Sequence, residues 1–203
     1  DVCSSDLSRI RVVSYNMDGR LVSKVAILDL VDQFRPDIIA FQECGETVPD
    51  AARELPDYHV HISSVCLLSR FPIDTAEVQP RRDIEAVGGS GQVVRYWIRG
   101  PIKPFSLTNV HLETPRDGLE ALLGRSLKAR DLITKEILLR NIESSRARRW
   151  ADSAPAPRLV VGDFNTPKES RIFQEHWGDL TETFDQAGFG FGHSKYTRLF
   201  ALR

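Results

Sequence analysis

The chain predicts an α/β fold, a β-sandwich of two sheets packed face to face and flanked by helices. Three observations carry this prediction. Four short apolar runs, at residues 10–16, 37–43, 105–111 and 158–165, have the Val, Ile and Phe content of buried strands. Stretches of helical period alternate with hairpin-like strand pairs, the pattern of layered α/β domains. The 203 residues suffice for one sizeable core, and no internal repeat or composition shift marks a second domain.

Each element has its own local reason. The run 10–16 ends at Asn16, and Met17-Asp18-Gly19 follows as a turn signal. Ser23 is placed to cap a helix reaching about Phe34, with Val25, Ile27, Leu28 and Val31 on its apolar face. Arg35-Pro36 stops it, because the residue before proline avoids helical geometry. A strand over 37–43 ends in Glu43. Residues 47–55 read as a short helix, and 58–62 with 65–69 as a strand pair that Arg70-Phe71-Pro72 leaves. Residues 81–91 form a polar, glycine-rich loop. Residues 92–98 alternate as a strand, and Gly100-Pro101 turns the chain into the strand 105–111. Residues 117–150 hold the clearest helical period, with Gly124 as a point of interruption. Ala154-Pro155-Ala156-Pro157 is a stiff linker into a strand ending at Asp163, and 169–177 is a short helix.

Bulk numbers exclude some functions. Lys and Arg total 27 against 28 acids, a net charge of −1, so no global positive field argues for nucleic acid. A metal ion and local arginines can still hold phosphate on a neutral protein. Eight basic residues within 125–149 read as a solvated helix face, because the aromatics of a nucleic-acid stripe are absent before Trp150. Cys44 and Cys66 read as small core residues rather than a disulfide framework, and no His/Cys spacing suggests zinc. No apolar run is long enough to span a membrane. The glycine run at 188–192 lacks Gly-Lys-Ser/Thr and is no P-loop.

The chemistry lies at the strand ends. Layered α/β folds present catalytic groups at one rim, where loops shape a site. One strand ending in Asn or Glu would mean nothing; four endings that carry Asn16, Glu43, His111, Asp163 and Asn165 imply one pocket. Glu43 taken alone reads as an exposed rim carboxylate; the competing reading is a ligand for magnesium, a hard cation that keeps most of its waters. Asn16 reads as a turn former or as an amide beside metal or phosphate. Asp163 and Asn165 leave on one side if the backbone stays extended through Phe164; the alternative is an Asx turn before Thr166-Pro167. His111 taken alone reads as a satisfied core histidine, but it shares its strand face with Phe105, Leu107 and Asn109 and sits at the strand's end. Thr114 is a weaker candidate for support through its hydroxyl.

These pieces carry a resemblance. SYNMDG with Asn16, FQEC with Glu43, LLSRFPI at 67–73, NVHLET with His111 and GDFNTP with Asp163 and Asn165 occur in order. In them the chain resembles the endonuclease/exonuclease/phosphatase superfamily, which includes deoxyribonuclease I, exonuclease III, sphingomyelinases and inositol-polyphosphate phosphatases. The resemblance implies a four-layer, deoxyribonuclease I-like sandwich and a metal-dependent phosphoester hydrolase using magnesium, with manganese as the alternative metal. It implies Glu43 and Asn16 at the metal, and Asn16, His111 and Asn165 on the substrate phosphate. His111, Asp163 and Asn165 become catalytic, with Asp163 positioning or deprotonating the attacking water. The substrate classes are DNA, RNA, a phospholipid head group or a small phosphate ester, and nucleic acid is a candidate partner. Phe189 and Phe191 are the candidates for membrane contact. The competing reading is a non-catalytic binding module or an inactive fragment of the same fold.

The same comparison sets expectations for the ends. Residues 1–7, DVCSSDL, read as an adapter-derived tail ahead of one domain over 8–203. Two more family strands and a Ser-Asp-His motif are expected beyond the C-terminus, so the C-terminal strands are missing. An open sheet edge is expected near residues 10–16 or near the strand that ends at Asp163, and impaired activity with it.

Overall fold

In a computed structural model, residues 9–18 and 22–187 are described. The tail 1–7, the glycine run at 188–192 with Phe189 and Phe191, and His193 lie outside them. Two four-stranded sheets form the centre. The first has the order β1–β2–β4–β3, from β1 (Val12–Asn16), β2 (Ile38–Gln42), β3 (His59–His61) and β4 (Val65–Ser69). The second has the order β5–β6–β7–β8, from β5 (Ile73–Val78), β6 (Gln92–Ile98), β7 (Phe105–His111) and β8 (Arg158–Asp163). The pairs β1/β2 and β7/β8 are parallel and all others antiparallel. Parallel pairing matters here, because it brings the C-terminal ends of β1 and β2, and of β7 and β8, to one rim.

Alternation along each strand builds the layers. Ile38, Ala40, Val65 and Leu67 of the first sheet meet Val94, Tyr96, Ile98, Phe105 and Leu107 of the second in a mainly apolar sheet-to-sheet core. The opposite face of the first sheet, with Ile39, Phe41, Cys66 and Leu68, packs on α1 (Lys24–Phe34) and α2 (Thr47–Ala52) through Ile27, Val48 and Ala51. The opposite face of the second sheet packs Val93 and Val110 on α5 (Ala129–Asp152) and α6 (Arg171–Trp177) through Ala147 and Trp177. The result is the helix–sheet–sheet–helix sandwich that the sequence predicts. Ser23 caps α1 by accepting from the Ala26 amide at 3.2 Å, and Arg35 ends it in the left-handed region.

Several local readings need correction. The segment after Pro72 is a strand, β5, whose alternation is hidden by an irregularity between Ile73 and Thr75. The polar loop 81–91 contains a short helix α3 (Arg82–Ala86), and a further α7 covers Thr183–Ala187. The long helical period splits at Gly124 into α4 (Arg116–Leu123) and α5. The basic run on α5 is partly structural. Arg146 pairs with Asp83, Arg148 with Asp152 and Asp179, and Arg140 donates to the Asn165 carbonyl at 3.2 Å.

Cys44 and Cys66 are core residues, as expected, but they are also joined in a disulfide. Cys66 faces Phe41 across the β2/β4 ladder, and Cys44 lies just beyond the end of β2, so their Cα atoms come to 6.1 Å, within disulfide reach. A separation of 22 residues gives no hint of this in sequence. Among the described residues, β1 and β3 are the edge strands of the first sheet and β5 and β8 those of the second.

Candidate active site

Four strand ends meet at the rim. Asn16 closes β1, Glu43 follows β2, His111 closes β7 and Asp163 closes β8. They line one cleft together with Asn165, Thr114, Ser90 and Arg116. All five residues expected to share a pocket are therefore in it.

The side chains touch. The Asn16 amide nitrogen donates to Glu43 Oε1 at 3.1 Å and to Asp163 Oδ2 at 2.8 Å. One amide thus spans two carboxylates that stand 120 residues apart in the chain and on different sheets. Its own oxygen accepts from the Asp18 amide at 2.9 Å, an Asx turn. This hydrogen bonding fixes which end of the amide faces the acids. Asn16 forms the turn, and its side-chain nitrogen faces the two carboxylates. His111 Nε2 stands 3.4 Å from Glu43 Oε1, with both side chains partly open to solvent.

Backbone geometry aims these groups. Asn16, His111 and Asp163 follow the alternation of inward-facing neighbours such as Val12, Leu107 and Val161. Glu43 does not. Its parity with Ile39 and Phe41 would point it toward α1 and α2. Its φ is +53°, however, and the left-handed turn carries the carboxylate to Asn16 and His111 instead. Such a conformation in a residue with a long side chain costs about 1–2 kcal/mol and is retained where function needs it. The chain also does not stay extended through Phe164. Asn165 has φ +48°, and its amide donates to Asp163 Oδ1 at 2.9 Å. Asp163 and Asn165 share the cleft because of this Asx turn rather than strand periodicity. The Asn165 side-chain nitrogen donates to the Leu112 carbonyl at 2.7 Å, leaving its second hydrogen for the cleft.

Gly162 explains how β7 and β8 come so close. Its φ is +135°, and a Cβ there would lie 1.9 Å from the Val110 carbonyl oxygen. Only glycine lets His111 and Asp163 stand opposite each other in the ladder.

Helix α5 holds the outer rim. Glu143 is buried and accepts from the Gly91 amide at 2.8 Å and the Glu113 amide at 2.6 Å. Burial pushes its carboxyl above the usual range. Glu113 in turn accepts from the Ser90 amide and hydroxyl, both at 2.8 Å. Two turns away, Glu136 accepts from the Gly118 amide at 2.9 Å. Glu143 escapes a sequence reading because it sits in a run that looks like a solvated charged face. Arg116 is also missed, in a cleft lined by Glu43 and Asp163, with its guanidinium 3.9 Å from Asp18.

Comparison with known proteins places this geometry. Residues 13–200 match the Endonuclease/Exonuclease/phosphatase family. Among solved structures, humanized D. rerio TDP2 carrying 14 mutations superimposes with a TM-score of 0.61 at 15% identity, covering 85% of this chain and 67% of the other. D. rerio TDP2 complexed with a single-strand DNA product gives 0.59 at 15% identity, over 79% and 62%. A β-hairpin deletion mutant of beta toxin from Staphylococcus aureus gives 0.55 at 13%, over 84% and 72%. The chain thus spans about two thirds of the length of these proteins, and at such identities the likeness is one of fold. No curated protein matches the sequence.

Proposed function

The chain belongs to the endonuclease/exonuclease/phosphatase family, and from that premise we propose that it is a metal-dependent phosphoester hydrolase. The observation that carries this reading is the Asn16 amide bonded to both Glu43 and Asp163, with His111 beside them, at the common end of two parallel strand pairs.

The donor set fits magnesium, and manganese as its alternative. Among the described residues, no cluster of three or more His, Cys, Asp or Glu side chains is placed to hold a metal. A cation bound through one or two carboxylates plus waters needs no such cluster. Glu43 would be the ligand; the Asn16 amide turns its nitrogen toward Glu43 and its oxygen toward Asp18, so its share at the metal would be to hold that carboxylate in place. Bound there, the metal supplies positive charge to the phosphate oxygens.

The chain's own residues do the rest. Asp163 orients a water and takes its proton as the water oxygen bonds to phosphorus. The bond from phosphorus to the leaving oxygen breaks, and that oxygen is protonated from solvent. Asn165 presents its free amide hydrogen to a non-bridging oxygen, a donor that adds no negative charge next to an anion. His111 completes the phosphate contacts and stabilises charge that develops on the oxygens, while the two amide hydrogens of Asn16 hold the Glu43 and Asp163 carboxylates in place. Positioning and charge neutralisation of this kind suffice for phosphoryl transfer.

The DNA-bound TDP2 structure makes nucleic acid the first substrate class to test. The test incubates the protein with single-stranded DNA, plasmid DNA, RNA, sphingomyelin and bis(p-nitrophenyl) phosphate, each with magnesium or with EDTA. Hydrolysis of at least one, abolished by EDTA and by Asp163→Asn, is expected. Absence of turnover on all five, with the protein folded and magnesium bound, overturns the reading.

A further inference from the structure

The proposed site is divided between two sheets that share no backbone hydrogen bonds. Asn16 and Glu43 come from the first, His111, Asp163 and Asn165 from the second. An apolar interface alone does not fix two sheets to within a fraction of an ångström, because apolar contact is non-directional. Directly behind the rim, the sheet-to-sheet core is interrupted by two amide side chains. Gln42 is 1% exposed and Asn109 fully buried. Gln42 Nε2 donates to Asn109 Oδ1 at 2.7 Å, and Asn109 Nδ2 donates to the carbonyls of Phe41 at 3.1 Å and Cys66 at 3.3 Å. Gln42 also lies 3.3 Å from Ser14 Oγ and from the Ala40 carbonyl.

From this we infer that Gln42 and Asn109 form a cross-sheet clasp whose role is to set the register of the two halves of the site. Both are positioning residues and neither touches the cleft. Gln42 immediately precedes Glu43, and Asn109 stands two residues before His111 on the same strand face. Gln42 is the ladder partner of Asn16, and Asn109 is the partner of Val161, two residues before Asp163. The clasp therefore lies next to every element that brings a group to the rim. A buried polar pair of this kind is directional and costly to break, which apolar residues of the same size are not. The inference rests on the hydrolase reading for its kinetic arm and on geometry alone for its structural arm.

The test compares wild type, Asn109→Leu, and the double variant Gln42→Met/Asn109→Leu. The single variant strands a buried amide and lowers the melting temperature by about 5 °C. The double variant removes the stranded Gln42 amide and so regains part of that loss, the remainder being the Phe41 and Cys66 carbonyls that have lost their donor. In both, kcat/KM on bis(p-nitrophenyl) phosphate falls about 10–100-fold, the effect of a small misplacement of reacting groups. A crystal structure of the double variant shows the Asn16–Asp163 contact opened beyond hydrogen-bond distance. If the double variant regains turnover along with stability, the clasp is only structural and the inference fails. An Asn16–Asp163 contact kept at 2.8 Å overturns it equally. Should the double variant not fold, Asn109→Ser leaves room for a water and is expected to lose about 10-fold in turnover; wild-type rates from it refute the proposal. If wild-type protein hydrolyses nothing, the hydrolase reading falls while the crystallographic distance still decides the clasp.

Discussion

Asp163→Asn separates chemistry from stability, because the structure limits what the substitution can do to the fold. The carboxylate accepts from Asn16 at 2.8 Å and from the Asn165 amide at 2.9 Å. An amide in its place keeps one acceptor oxygen and turns an NH₂ toward the other donor. A hydrogen bond to a charged group contributes about 1.5–3 kcal/mol, so the loss is about 2 kcal/mol after allowance for a cleft that is partly open to solvent. For a chain of this size that lowers the melting temperature by about 4–8 °C. The proton acceptor for water is lost as well, and that costs about 10²–10⁴-fold in rate. The rate term, about 3–5 kcal/mol of barrier, exceeds the stability term. The melt of the same sample separates any unfolded fraction at 25 °C from the loss of chemistry. The assay is kcat/KM on bis(p-nitrophenyl) phosphate at saturating magnesium, with a thermal melt of the same sample. Turnover within threefold of wild type refutes the role of Asp163; a fall in melting temperature beyond about 15 °C, the threshold we set for a collapse, shows that the carboxylate holds the fold instead.

Three further outcomes are expected. Gly162→Ala combines a forbidden φ with a backbone overlap and should cost about 3 kcal/mol or more, read as a drop of at least about 6 °C; an unchanged melt contradicts the close β7/β8 approach. Glu143→Gln keeps one of two buried acceptors, so faster hydrogen exchange at Gly91 and Glu113 should accompany a several-fold rise in KM with little change in kcat; wild-type exchange rates rule out its hold on the rim. Reduction of Cys44–Cys66 should lower stability by about 3 kcal/mol, measured by denaturant melts with and without dithiothreitol, and coincident curves would show that the bond contributes nothing.

Much of this architecture was legible because it rests on period and composition. The strands ending at Asn16, His111 and Asp163 are continuous apolar runs, and their parity alone places those residues on the inner face. The helix from Ser23 to Arg35 announces itself by cap and stop. What stayed hidden depends on single torsions or distant neighbours. Glu43 is in the cleft only because its φ is positive, against its parity with Phe41. Asn165 shares the cleft through the Asx turn, one of two readings that the sequence left open. The β5 alternation is broken by an irregularity, and the disulfide depends on a β2/β4 pairing that no local signal specifies. Glu143 and Asn109 look like any charged helix residue and any polar strand residue until their partners, far away in sequence, are seen.

The central claim is that one metal-binding site spans the two sheets at the Asn16–Glu43–Asp163 bridge. Crystals soaked in manganese, with data collected at its absorption edge, test it most directly. The account predicts one anomalous peak in the cleft, bonded to a Glu43 oxygen and facing Asp163, lost in Glu43→Gln crystals. A peak elsewhere on the protein, with phosphodiester turnover intact and the cleft empty, would contradict it.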